Sequence, residues 1–185
     1  MHNTFIFTGR PGAGKGTQAK ILAEKLEARF ISAGASLRAF AEGDSLPARK
    51  VKEDIDSGLL VPYGIMVYIF YSIFLSLKEG EPVVLDGFAR RPIEAEMMTG
   101  ALTWGDRPFT VINLTIPDEV VQQRIDARKG LEQRGDEESV QNRLKEYEDH
   151  TAKAIQYFCE NTTVIDIDGT QSIEAIAEEI WNKIQ

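Results

Sequence analysis

The ten residues Gly9-Arg10-Pro11-Gly12-Ala13-Gly14-Lys15-Gly16-Thr17-Gln18 restrict what this chain can fold into more than any other stretch. The apolar run Thr4-Phe5-Ile6-Phe7-Thr8 before them reads as a buried strand. A helical pattern follows from about Lys15 to Ala28, with Ala19, Leu22, Ala23 and Leu26 on one face. A strand, a glycine-rich turn and a lysine at the mouth of a helix make a grip for a polyphosphate. The glycines let successive backbone N–H groups point inward at an anion. The helix N-terminus adds a partial positive charge and Lys15 a full one. The usual phosphate loop has Ser or Thr directly after the lysine; here Gly16 intervenes and Thr17 comes next.

Bulk properties narrow the classes. The 185 residues suffice for one domain with a proper core. A net charge of −8 argues against a protein that binds nucleic-acid backbone, though not against a nucleotide pocket lined by local arginines. One cysteine, Cys159, excludes an internal disulfide and fits a reducing compartment, so a cytoplasmic location is expected. Its apolar helical setting beside Ile155 and Phe158 predicts a small buried side chain. The glycine loop follows the first residues so soon that no signal peptide is expected. The longest apolar run, Ile65 to Leu77, is shorter than the ~20 residues a bilayer requires, so no membrane partner is expected. Two histidines and no Cys/His cluster exclude a structural zinc site and a histidine-based triad.

Along the chain, strands alternate with helices. Strands are expected at Phe5–Thr8, Phe30–Ser32, Pro82–Asp86, Phe109–Leu114 and Val164–Ile167. Ala33-Gly34-Ala35 is expected to break the second strand before a short helix at Ser36–Phe40. Further helices are expected at Ala48–Ser57 (charged and solvated), Tyr63–Lys78, Ile93–Trp104 and Pro117–Lys129. A long helix should open at Asp136, and a closing helix should run from Ser172 to Ile184 with Ile173, Ile176, Ile180 and Trp181 inward. Arg29 and Arg107 read as surface residues. This alternation predicts an α/β fold, a parallel sheet with helices on both faces. Ligands then bind at the carboxyl ends of the strands, where the glycine loop and Asp86 both fall.

Asp86, ending a buried strand near a phosphate loop, suits Mg²⁺ held through water. The competing reading is a turn or helix-capping residue. Six arginines, Arg38, Arg90, Arg124, Arg128, Arg134 and Arg143, are candidates for phosphate contacts. Phosphoryl transfer spreads negative charge over several oxygens, and planar guanidinium forks suit it. Taken singly, each arginine is as easily a solvated helix residue.

The glycine loop and six blocks after it, in order, resemble the short-lid branch of the adenylate kinase family: Phe30–Arg38, Gly58–Pro62, Asp86–Glu94, the arginines Arg124–Arg134, Arg143–Tyr147, and a final Asp168-Gly169 turn. The resemblance implies a P-loop kinase fold with a five-stranded parallel sheet in one domain, residues 1–185. It carries an acceptor-binding insertion at about 32–61 and a short lid at about 128–136. It implies transfer of a phosphoryl group from ATP to a nucleoside monophosphate, with Mg²⁺, in a monomer. Gly12, Ala13, Gly14, Lys15, Gly16 and Thr17 would then cradle ATP, with Arg124, Arg128 and Gly169. Ala33, Arg38, Leu59, Leu60, Val61, Gly87, Phe88, Ala89, Arg90 and Glu94 would hold the acceptor. Lys15, Arg90, Arg124, Arg128, Arg134 and Arg143 would serve catalysis, with Arg134 and Arg143 also touching the acceptor.

The departures from the family pattern cluster at the acceptor. Ala33 and Ala35 stand where it has Thr and Asp, Ala89 stands where it has Pro, and Glu94 stands where it has the Gln that reads the base. A Gln amide matches the adenine edge, whereas an ionised Glu offers only acceptors and suits the guanine edge. AMP is the expected acceptor and GMP the alternative. From another class, the alternative is a nucleotide-binding paralogue without catalysis, against which the retained lysine, Asp86 and arginines speak. A switch GTPase is disfavoured by Gly16 and by the absence of an Asn-Lys-x-Asp sequence.

Overall fold

The computed structural model describes residues 3–128 and 137–185. Among the described residues the order is β1 (Thr4–Gly9), α1 (Lys15–Lys25), β2 (Arg29–Ser32), α2 (Ala33–Ala41), α3 (Leu46–Asp56), α4 (Tyr63–Phe74), β3 (Val83–Asp86), α5 (Pro92–Trp104), β4 (Phe109–Thr115), α6 (Asp118–Arg128), α7 (Glu137–Glu146), α8 (Ala152–Asn161), β5 (Val164–Asp168) and α9 (Ile173–Ile184). A π-helical turn, Tyr147–Thr151, joins α7 to α8.

The five strands pair in parallel in the order β2-β3-β1-β4-β5. Side chains alternate across a strand, and that alternation divides the core in two. Ile6, Leu85 and Val111 face α4, α5 and α8, packing with Phe70, Met98 and Phe158. Phe5, Phe7, Val84 and Ile112 face the other way, against Leu22 of α1, Val121 of α6 and Ile176 and Ile180 of α9. A fully buried side chain such as Phe7 or Phe158 contributes about 1.5–3 kcal/mol relative to exposure. With both faces covered, the strands read as the near-continuous apolar runs seen in the sequence.

The central strand β1 has β3 on one side and β4 on the other. After β1 the chain goes outward to β2; after β3 it crosses to β4 on the far side. The direction of winding therefore reverses around β1, and a crevice opens at its carboxyl end. Register places Phe7 opposite Asp86, and the Gly87 N–H donates to the Phe7 carbonyl at 3.2 Å. The glycine loop and Asp86 are thereby neighbours.

Several local expectations are corrected. Strand β2 ends before Ala33 as expected, but α2 starts at Ala33 rather than at Ser36, because Ala33 is buried against the core and its packing outweighs the helix cost of Gly34. The charged helix α3 is only partly solvated, since Ala48 and Val51 are buried; Ser45 caps it by accepting from the Ala48 N–H at 3.2 Å. Helix α4 ends at Phe74, four residues before the expected Lys78. Cys159 is exposed, because Ile155 and Phe158 hold the inward face of α8 and Cys159 turns past it. Ile173 is exposed on the first turn of α9. Arg107 is buried: its Nε donates to Thr4 Oγ1 at 2.6 Å, and its terminal nitrogens donate to the carbonyls of Glu81 and Lys78. Arg29 is exposed, as expected. Among the described residues no helix is long and apolar enough to cross a membrane.

Candidate active site

The crevice is a cavity of about 930 Å³. The glycine loop forms one wall. Within it, the Ala13 N–H donates to the Arg10 carbonyl at 3.2 Å, and the N–H groups of Thr17 and Gln18 donate to the Gly14 carbonyl at 3.1 Å. Helix α1 starts at Lys15, so its first N–H groups lie at the cavity edge, where an anion finds both donors and the positive end of the helix dipole. Lys15 Nζ lies across the loop and donates to the carbonyls of Gly9 at 2.8 Å and Arg10 at 2.7 Å. Gly12, Gly14, Lys15, Gly16 and Thr17 all line the cavity. Ala13 does not, because its methyl packs inward beneath the loop.

Two further links hold the loop. Arg10 pairs with Asp118 at the start of α6, and its guanidinium carbon lies 5.4 Å from the centre of the Tyr147 ring. Burial pushes the Tyr147 hydroxyl pKa up, and Arg10 opposes that shift. Arg124 reaches from α6 to the Gly12 carbonyl at 3.3 Å and the Gly169 carbonyl at 2.7 Å. Gly169 is presented by a small turn: Asp168 Oδ1 accepts from the Thr170 N–H at 2.9 Å and its hydroxyl at 2.7 Å. Those bonds hold the Asp168 carboxyl below its usual range, the Thr170 hydroxyl contributing most. Gln18 ties α1 to the start of α9, donating to the Ile173 carbonyl at 2.9 Å.

Asp86 lies on the cavity floor. Its Oδ2 is 3.4 Å from where a β-carbon on Gly16 would stand, so the carboxylate sits beside the α1 N-terminus. Among the described residues no three acids, histidines or cysteines cluster as a metal cage. One carboxylate beside a phosphate grip suits an ion that keeps most of its water, which is the behaviour of Mg²⁺.

The opposite wall carries the acceptor candidates. Ala33, Arg38, Leu59, Leu60, Val61, Gly87, Arg90, Glu94 and Arg143 line it, together with Ala35. Two of its arginines lie on glycines. A β-carbon on Gly34 would come within 3.2 Å of the Arg38 guanidinium, and one on Gly87 within 2.9 Å of the Arg90 guanidinium. Arg90 Nε also donates to the Gly87 carbonyl at 3.0 Å. Phe88 and Ala89 do not line the cavity; both are buried in the core beneath the turn. Ala89 has φ +54°, which a proline ring cannot adopt, so the proline of the family pattern would not fit this turn as it stands here. Arg143 donates to Ser139 Oγ at 2.9 Å on α7. Arg128 closes α6, and the expected lid, with Arg134, lies outside the described residues apart from that helix end.

Glu94 holds a position the sequence reading did not anticipate. It is buried, and its Oε2 accepts from the N–H of Arg90 at 2.8 Å and of Arg91 at 3.3 Å. It therefore caps the N-terminus of α5. Burial raises its carboxyl pKa above the usual carboxylate value, against the opposing pull of those N–H groups and of Arg91 and Arg90.

Comparison with known proteins decides the family. The adenylate kinase family model matches residues 7–163. The chain is 36% identical over 211 aligned positions to an adenylate kinase from Kosmotoga olearia, covering 97% of this chain and 98% of that one. It is 37% identical to adenylate kinase 1 of a Synechocystis strain, covering 97% and 96%. An adenylate kinase of Porphyromonas gingivalis is 33% identical, covering 97% and 94%. The chain belongs to the adenylate kinase family. It is thus an enzyme of the nucleoside monophosphate kinase class, with a P-loop kinase fold. Of the four departures read from the sequence, Ala33, Ala35 and Glu94 line the wall opposite the glycine loop, and Ala89 lies in the core beneath it.

Two residues that sequence reasoning passed over belong to this site. Arg10 anchors the glycine loop, and Arg91 donates to the Val61 and Leu60 carbonyls on the opposite wall. Arg10 gave no signal, being a variable position of the loop motif. Arg91 had one: it precedes Pro92 and stands three residues before an acid, the spacing of a capping box.

Proposed function

We propose that this chain transfers the γ-phosphoryl group of ATP to AMP, giving two ADP. One observation carries the reading most: a lysine-bearing phosphate loop and a second, arginine-bearing wall face each other across one cavity. A hydrolase or a plain nucleotide binder has no use for the second wall. The adenylate kinase names of the relatives favour AMP over GMP as acceptor.

Catalysis here is positioning and charge stabilisation. A phosphate oxygen of AMP forms the new bond to the γ-phosphorus. The bond from that phosphorus to the β–γ bridging oxygen breaks, and ADP leaves with that oxygen. Gly12, Gly14, Gly16 and Thr17 supply backbone donors to the ATP phosphates, and Lys15 neutralises charge there. Arg38 and Arg90 grip the acceptor phosphate. Arg124, held between Gly12 and Gly169, joins the phosphate loop to the turn we assign to the adenine of ATP. Arg143 stands where the two halves meet. Asp86 would hold Mg²⁺ through water, and the ion would neutralise charge on the phosphates. Glu94 reads the base less directly than a free carboxylate would, since one of its oxygens is committed to α5.

The domain reading is one kinase domain with an acceptor insertion at about 32–61 and a short lid at about 128–136. It rests on motif order, with Arg128 and Arg134 assigned to the lid on that ground alone. The monomer reading rests on the resemblance to short-lid family members alone. A lone free cysteine suits a reducing, cytoplasmic setting.

The test is ATP labelled at the γ-phosphorus, given with unlabelled AMP. The label should appear in ADP. Label in inorganic phosphate, or none transferred, would contradict the proposal.

A further inference from the structure

Arg91 falls in none of the positions that define the family motif, and its surroundings give it a task. It precedes Pro92, and a residue before proline is steered to extended backbone. Its φ is −121° and its ψ 150°, and it forms the N-cap of α5. From there its guanidinium reaches residues some thirty positions earlier in the chain. It donates to the Val61 carbonyl, and through Nη2 to the Leu60 carbonyl at 3.2 Å. Leu59, Leu60 and Val61 form the link leaving α3, and all three line the cavity. Such a link has no strand partner to accept from, so its carbonyls depend on side chains or water.

The other side of Arg91 meets Glu94. Arg91 Nη1 lies 3.9 Å from Glu94 Oε1, while Glu94 Oε2 takes the N–H groups of Arg90 and Arg91. One guanidinium and one buried carboxylate therefore connect three things: the Leu59–Val61 link, the N-terminus of α5, and the turn that aims Arg90. The donor half shares none of these contacts, because Lys15 and Arg124 are held by carbonyls of Gly9, Arg10, Gly12 and Gly169.

We propose that Arg91 is a positioning residue for the acceptor, holding the Leu59–Val61 wall in register with Arg90 through its two carbonyl bonds and its contact with Glu94. The proposal builds on the AMP reading for its kinetic consequence. A guanidinium fork bonds two carbonyls at once, which an ammonium at the end of a lysine cannot do with the same geometry. Loss of Arg91 loosens one wall of the acceptor pocket and leaves the phosphate loop in place. The effect falls on acceptor binding rather than on the chemical step.

The experiment compares wild type with Arg91→Ala and Arg91→Lys. In steady-state kinetics, Arg91→Ala should raise KM for AMP about tenfold while kcat and KM for ATP stay within about twofold. Arg91→Lys should give a smaller rise. Thermal unfolding is measured on the same samples. A lowered midpoint with unchanged KM for AMP would make Arg91 merely structural, and an equal rise in both KM values would mean general loosening; either overturns the proposal. Amide hydrogen exchange on the free proteins supplies a readout that needs no acceptor. Arg91→Ala should speed exchange in peptides covering 59–62 and 87–91 and leave 9–18 unchanged. Unchanged exchange at 59–62 overturns the proposal, whereas a wild-type enzyme idle with AMP overturns only the functional reading.

Discussion

Gly58 and Ser139 are in backbone contact: a β-carbon on Gly58 would stand 2.3 Å from the Ser139 carbonyl oxygen and 2.9 Å from its hydroxyl. Gly58 has φ +75° and ends the turn after α3, where Asn142 Nδ2 also donates to the Ser57 carbonyl at 2.9 Å. Helix α7 thus rests on the turn that leaves α3. Gly58→Ala combines left-handed strain with a backbone clash. It should destabilise by about 2 kcal/mol or more. The thermal midpoint should fall by about 4–8 °C.

The buried carboxyl of Glu94 gives a pH dependence with a definite sign. Its pKa in the folded chain lies above the ordinary value of 4.5, with burial the largest cause. As pH rises past 4.5 the unfolded chain ionises first, so the unfolded state gains and stability falls until the folded pKa is passed. Glu94→Gln keeps an oxygen for the two N–H groups and removes the charge. It should match wild type near pH 4 and become the more stable of the two as pH rises, in denaturant titrations across that range. A gap that widens toward low pH would contradict this.

Arg107 is expected to matter for stability alone. It lies away from the cavity and serves the Thr4 hydroxyl and the carbonyls of Lys78 and Glu81. Arg107→Met removes all three of these hydrogen bonds and should cost about 2–4 kcal/mol by denaturant unfolding, with KM values unchanged. Arg107→Lys should recover part of the loss.

Lys15 should show the reverse pattern. Lys15→Met removes the charge at the phosphate loop while the loop's backbone bonds persist. Turnover should drop about a hundredfold or more with the thermal midpoint little changed.

How much of this was legible beforehand depended on what kind of signal each residue carried. The apolar runs of β1, β3 and β4 announced a sheet buried on both faces, and the loop from Gly9 to Gln18 announced its anion site. The order of the strands is not written in any period. It follows from which helix covers which face, and from motif order by resemblance. Ala33-Gly34-Ala35 was legible as the end of β2 but not as the first turn of α2, because glycine weakens a helix and the burial of Ala33 shows only in the fold. Arg107 looked solvated because a sequence shows charge but not the three oxygen acceptors that surround it. Glu94 was read only as a base-facing group, because its motif position is next to the acceptor. Its commitment to the Arg90 and Arg91 N–H groups depended on the helix start at Pro92. The arginine set was legible as a set, and individual partners such as Gly169 for Arg124 required the fold.

The central claim is that this site joins ATP to AMP. The most direct measurement gives the purified protein ATP with Mg²⁺ and, separately, AMP, GMP, CMP or UMP, and follows nucleoside diphosphate formation. The account predicts two ADP for each ATP consumed with AMP, and a kcat/KM for AMP about tenfold or more above the other three. Turnover led by GMP, CMP or UMP, or none with any of the four, would contradict it.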